Sequence, residues 1–503
     1  MNRFTKWAAV PLLALGVAAL PACDNFGDLN VDPTEAAQID ANFKVTELQV
    51  RIAGTRYENW RAQLIYSSTM MQHLAALPGY WVGDKYFYNA GYSSSLWDRY
   101  YPDVAKNLED LKLQVCDGEE ADPDGEDKNY CAVARVLRVF TYHRLTDLYG
   151  DVPYSEAGRG FIDGNITPVY DAQEAIYDDM LMELQTAAAA FDNSQPTLTG
   201  DLIFEGDVDK WRRFANSMML RLGMRLSEAD PGKAQQWVER AIQGGVMQSN
   251  DDLARVRFDG NAVRNGISEV FDADGNQHLS ETFVSGMMDR GDPRLTVFGE
   301  PQAGMIVGLP NGFSATTIQA DDSWIDCAGG ADPCGTDVYM DVNPALVNFD
   351  DPMFLQSYAE VEFMLAEAAI RGWGATDAEG HYQAGVRAAM NHLALFNGNT
   401  VDAGEIDDYL AANPYDAANG LEQIAYEYWV ATFFNEYETF ANWRRTGFPE
   451  LTPVNFPGNV TGGTIPVRLR YNESETVSNA ENYNAAVARQ GPDLLTTNVW
   501  WDQ

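Results

Sequence analysis

Apolar residues recur along most of this chain at helical spacing. Val133, Val136, Leu137, Phe140 and Leu148 stand at offsets 0, 3, 4, 7 and 15, which places them on one face of a helix. Val361, Met364, Leu365 and Ala368 repeat the first four offsets. The same reading predicts helices near 43–55, 57–76, 96–115, 171–192, 209–229, 232–244, 280–290, 376–396, 418–440 and 477–490. Stretches rich in Gly, Pro and Asp at 250–278, 291–350 and 449–476 interrupt them and have room only for short strands. Loops of that length are usually functional. The pattern predicts a mainly α protein. Paired helices suggest a helical-repeat scaffold, although no clean 34-residue period is present.

Composition changes this picture in two ways. Of 503 residues, 46% are hydrophobic and 12% aromatic, ample for a sizeable core and unlike a disordered chain. There are 74 Asp and Glu against 34 Lys and Arg, a net charge of −40. With no dense basic patch, that charge excludes general nucleic-acid binding.

The first 22 residues carry an address. Arg3 and Lys6 precede an uncharged apolar run from Ala8 to Leu20. As a helix this run covers about 20 Å, short of the roughly 30 Å hydrocarbon core, so it reads as an export signal and not a membrane span. It ends in Leu20-Pro21-Ala22-Cys23, which resembles the lipobox of bacterial lipoproteins. That resemblance implies that Cys23 becomes the first mature residue and carries diacylglycerol and a further acyl chain (palmitate), the membrane anchor. Residues 23–42, polar and broken at Asp32-Pro33, read as a tether to a folded body at 43–503.

Four cysteines remain: Cys116, Cys131, Cys327 and Cys334. Four can pair in three ways, and an exported location favours disulfides. Local pairing, Cys116 with Cys131 and Cys327 with Cys334, would staple two Asp/Gly-rich loops. Zinc is a poorer reading, because no C-x-x-C spacing or nearby His supports it.

Several motifs together resemble the SusD/RagB family of nutrient-binding outer-membrane lipoproteins. They are Thr146-Asp147-Leu148-Tyr149-Gly150-Asp151-Val152-Pro153-Tyr154, Trp211-Arg212-Arg213-Phe214 leading to Arg221 and Arg225, Asp292-Pro293-Arg294, Ala359-Glu360-Val361-Glu362-Phe363, Trp443-Arg444-Arg445, Ile465-Pro466-Val467-Arg468 and the closing Val499-Trp500-Trp501-Asp502. In order, they span nearly the whole mature chain. The resemblance implies four tetratricopeptide-like helix pairs wrapped by an irregular, loop-rich subdomain. It also implies a partner, a SusC-like TonB-dependent transporter in the outer membrane. Physically, most of these motifs read as scaffold. Tyr149-Gly150 with Pro153 is a helix end, Trp211 and Phe214 are packing, Arg221 and Arg225 at i, i+4 suit carboxylate partners, and Trp443-Arg444-Arg445 joins ion pairs or ring stacks.

Capture without chemistry needs exposed rings, because the C–H face of a sugar packs on a π-face. The densest ring cluster is Tyr80, Trp81, Tyr86, Phe87, Tyr88, Tyr92 and Trp97, interleaved with Gly79, Gly83 and Gly91. Trp81, Tyr86, Tyr88 and Tyr92 are the candidate ligand residues, with Asn89 and Asp84 as polar companions. Trp324, beside the Cys327–Cys334 loop, is a second candidate. The sequence does not choose between glycan and peptide. A role confined to stabilising the transporter complex stands as the alternative. No cofactor is expected. Asp272-Ala273-Asp274-Gly275-Asn276 offers oxygen ligands for a structural calcium ion but departs from the EF-hand pattern at Gln277 and Phe283. No G-x-S-x-G, H-E-x-x-H or P-loop motif occurs, and His73, His143, His278, His381 and His392 are scattered, so an enzyme is not expected.

Overall fold

The computed structural model describes residues 39–328 and 330–502, and Ala41–Gln503 forms one compact unit. The export signal, Cys23 and most of the tether lie outside the described residues. No described helix is long and apolar enough to cross a membrane.

Four helix pairs make the scaffold: Lys128–Tyr149 with Gln173–Ala190, Val208–Arg225 with Pro231–Gly244, Tyr358–Arg371 with Ala378–Asn391, and Gly420–Ala431 with Glu436–Thr446. Neighbouring pairs pack on one another, the helix at 173–190 on that at 208–225 and the helix at 358–371 on that at 420–431. Local chemistry sets their ends. Gly150, at φ +84°, stops the first helix, and Pro153 follows in a two-residue strand. Asp207 caps the third by accepting from the amides of Asp209 and Lys210. Asp230 and Pro231 start the fourth. Ser357 and Glu360 form a capping box on the fifth.

The apolar faces named from the sequence are buried, including Val133, Val136, Leu137, Phe140, Trp211, Phe214, Val361 and Leu365. At the centre lies a charged network. Arg221 donates to Glu360 at 2.7 Å and Arg225 to Glu438 at 2.7 Å, while Arg445 grips Glu367 at 2.6 and 2.7 Å. The i, i+4 arginines thus find their acceptors on the helices at 358–371 and 436–446.

The structure departs from the sequence reading in several places, and Ala403–Ala412 is a helix that the reading did not predict. The span 418–440 is two helices, broken at Thr432–Asn435 where Phe434 takes φ +69°. The span 57–76 is a short helix at Arg56–Glu58 running into a wider π-type helix that ends at Ser68, after which Leu74–Ala76 is a strand. A helix at Gly266–Ala273 lies inside the stretch expected to hold only short strands.

The rest of the chain is loop-rich, with four two-stranded antiparallel pieces. One of them matters for the site: Leu74–Ala76 pairs with Gln277–Leu279 in the register Leu74 to Leu279. Beside it sits a second small core of Ala75, Leu77, Leu309, Ile318, Val338 and Tyr339. The cysteines pair locally, Cys116 with Cys131 and Cys327 with Cys334.

Candidate functional site

After the strand Leu74–Ala76 the chain turns over Pro78 and Gly79, the amide of Trp81 donating to the carbonyl of Pro78 at 3.1 Å. That turn sends Tyr80 outward, 38% exposed, and Trp81 inward, fully buried. One carboxylate fixes both. Asp274 accepts from the Tyr80 hydroxyl at 3.0 Å and from the Trp81 indole at 3.1 Å, and Asn276 donates to it as well. Burial and the hydrogen bond to Asp274 push the Tyr80 phenol up to about 12.

This arrangement corrects part of the ring assignment. Trp81 and Tyr86 are buried and present no face to a ligand. Tyr86, at φ +54°, uses its hydroxyl to accept from the amide of Val454 at 3.2 Å. Tyr88 is half-buried, bonded to Glu473 at 3.1 Å, and the Arg470 guanidinium lies 4.0 Å over its ring. Tyr92 is half-buried under Arg61 at 5.5 Å. Asn89 caps the short helix that begins at Ala90, and buried Asp84 is bound to Lys85, Asn311 and the amide of Gly312. These polar groups hold the loop.

Trp324 packs, half-buried, on the second small core that contains Leu77, three residues before Tyr80. Its loop is closed by Cys327–Cys334, and the neighbouring Ser323 hydroxyl shares a 3.1 Å hydrogen bond with Tyr339. Trp324 thus flanks the second small core and Tyr80 is held by the turn that carries Asp274, while Tyr88 and Tyr92 are engaged by Glu473, Arg470 and Arg61.

A cleft of about 460 Å³ opens alongside, lined by Phe271, Asp272, Gln277, Asp341, Asn348 and Phe349 among others. The turn at 272–277 supplies one wall and, through Asp274, holds Tyr80. Gln277 is 3% exposed, its amide nitrogen donating to the Asp274 carbonyl at 2.8 Å, while its Oε1 is buried without a partner. Two phenyl rings and two carboxylates make a surface that accepts hydrogen bonds and covers an apolar face. Such a lining suits a polyhydroxylated or amide-bearing ligand. The cleft was missed from the sequence, because Phe271 and Phe349 sit far apart without a shared motif.

Four of the five histidines lie against a carboxylate, His278 against the cleft residue Asp341 at 2.8 Å, and His392 is buried. His73 contacts Glu436 at 2.9 Å and His381 contacts Glu362 at 2.6 Å, while burial drives His392 down to about 3. Among the described residues, three metal-capable side chains converge at His143, Asp147 and Glu438. The Glu438 carboxylate lies 3.0 Å from His143 and accepts from Arg225, with Arg221 at 3.5 Å, so two guanidiniums stand where a cation would sit.

The SusD-like family, described as starch-binding and associating with the outer membrane, matches residues 33–472. The chain belongs to this family. Among solved structures, the SusD-like chain is similar to a chitin-binding protein at 33% identity and TM-score 0.83, over 92% of this chain and all of that one. A Bacteroidetes SusD-like protein follows at 26% identity and TM-score 0.81, with 92% and 100% covered. A chitin-binding SusD homologue from Flavobacterium johnsoniae shares the fold at 24% identity and TM-score 0.76, with 92% and 98% covered. No curated protein matches the sequence. The SusD-like fold accounts for the four helix pairs and the loop-rich subdomain together.

Proposed function

We propose that this chain is a lipid-anchored outer-membrane protein that captures oligosaccharide and passes it to a SusC-like TonB-dependent transporter. The observation that carries the reading is the Asp274 joint: one carboxylate holds Tyr80 outward on the turn that walls a polar, phenyl-lined cleft, and Trp324 packs on the small core that includes Ala75 and Leu77. A ring fixed in place loses little freedom when a sugar stacks on it. The similarity to a chitin-binding protein supports oligomers of N-acetylglucosamine as the ligand, whose amide N–H groups suit the acceptors of Asp272 and Asp341. Peptide is the competing ligand, and an assembly role without ligand is the competing class.

Calorimetry with chito-oligosaccharides, malto-oligosaccharides and peptides tests the reading. Chito-oligosaccharides should bind, and Tyr80→Ala or Trp324→Ala should each weaken binding about tenfold, the scale of one aromatic stack. Unchanged affinity in both variants would remove the site, and no binding to any oligomer would favour the assembly role. Cys23→Ser should release the protein from the membrane fraction.

A further inference from the structure

A second pocket lies on the helical scaffold and shares no lining residue with the cleft above. It holds about 270 Å³ between the ends of the helices at 281–289, 378–391, 403–412 and 420–431, and Arg290, Tyr382, Tyr409, Tyr426 and Glu427 line it. Its parts are held in place. The Arg290 guanidinium stacks 3.6 Å from the centre of the Tyr426 ring and donates to the Gly286 carbonyl at 3.2 Å. Asn413 ties the Arg290 carbonyl to that of Tyr409 at 2.9 and 3.0 Å. Glu427 accepts from Tyr409 at 2.5 Å and from Arg294 at 2.7 Å, so its charge is matched within the wall.

Two groups are left with capacity. Arg290 makes no ion pair among the described residues, so most of its donors are free of carboxylate partners. Tyr426 is 5% exposed, yet its hydroxyl is buried with no hydrogen-bond partner. A buried hydroxyl without a partner is costly and is normally satisfied. At the mouth, exposed Asp416 and Glu422 add acceptors and a negative field that disfavours an anion. The Arg290 donors and the Asp416 and Glu422 acceptors thus line one small space, with the unsatisfied Tyr426 hydroxyl behind it, the combination that sugar hydroxyls need because each both gives and takes a hydrogen bond. The volume lies below the roughly 300–1,000 Å³ of pockets for larger ligands, which sets the size at one ring.

We infer that this pocket is a second sugar site, carried by the helix pairs, that takes a single neutral sugar ring. It does not depend on the oligosaccharide reading of the loop cleft. Saturation-transfer NMR on the full chain, with N-acetylglucosamine, glucose and glucuronate as probes, tests it. A neutral monosaccharide should bind. Tyr426→Phe should weaken binding about fivefold, the effect of one hydrogen bond, and Arg290→Ala should abolish it. Both variants should melt like the parent and keep chito-oligosaccharide binding, while Trp324→Ala should keep the monosaccharide signal. The inference falls if neither neutral probe binds, if glucuronate binds more tightly, if both pocket variants bind as the parent does, or if Trp324→Ala removes the signal. If chito-oligosaccharides fail to bind while the pocket variants still change the monosaccharide signal, the loop-cleft reading fails and this site stands.

Discussion

Asp274 shows how one side chain joins stability to recognition. The residue is 6% exposed, and its carboxylate serves an exposed tyrosine and a buried tryptophan that come almost two hundred residues earlier in the chain. Asp274→Ala leaves the Trp81 indole N–H buried without an acceptor, so stability should fall by about 1–3 kcal/mol in urea unfolding. Oligosaccharide affinity should fall with it as Tyr80 is released, and calorimetry reads that arm. Trp81→Ala should cost about 3–5 kcal/mol as a core truncation. The residue scale is also where the sequence was least legible. Tyr80, Trp81, Tyr86, Tyr88 and Tyr92 look alike in a ring-rich stretch, and only their partners decide which face water. The oxygen-rich turn at 272–276 was visible, but its use as an anchor for two rings was not, since nothing local marks a partner so distant.

At the scale of elements, helices were legible where the apolar period was clean and a punctuating residue followed. Lys128–Tyr149 is the clear case, ended by Gly150. The break at 432–435 was not legible, because Thr432-Phe433-Phe434-Asn435 contains neither Gly nor Pro and continues the apolar pattern. The pairing of Arg221 and Arg225 with carboxylates was readable from their spacing, whereas Glu360 and Glu438 as acceptors required the fold. Burial pushes the Glu438 carboxyl up, but Arg221, Arg225 and His143 outweigh it and hold it well below its ordinary value. A depressed carboxyl stabilises the fold above its unfolded value of 4.5, and that contribution is lost as pH falls through the folded value. Glu438→Gln should therefore destabilise by about 3–5 kcal/mol at neutral pH, the cost of stranding buried partners. The gap between parent and variant should narrow as pH drops below 4.5, measured by denaturant midpoints across a pH series.

For the molecule as a whole, the two disulfides divide the labour. Cys116–Cys131, separated by 15 residues, closes a loop onto the start of the first scaffold helix. Replacing both with Ala should lower stability by up to about 3 kcal/mol on the loop-entropy estimate. Cys327–Cys334 closes the loop beside Trp324, so the corresponding double variant should reduce oligosaccharide affinity more than it reduces the melting temperature. Differential scanning calorimetry and titration separate the two effects. Fold class and scaffold were legible at this scale because helical period and motif order extend over the whole chain. The cleft and the second pocket were not, because each is assembled from separate segments.

The charged centre has a further consequence for how the protein comes into being. Arg221 and Arg225 sit on one helix, Glu360 on another and Glu438 on a third, so two of these helices packed without the third leave an ion unmatched at their contact. Half-assembled states are penalised on electrostatic grounds alone, and the chain is pressed toward an all-or-none transition in which the helix pairs condense together.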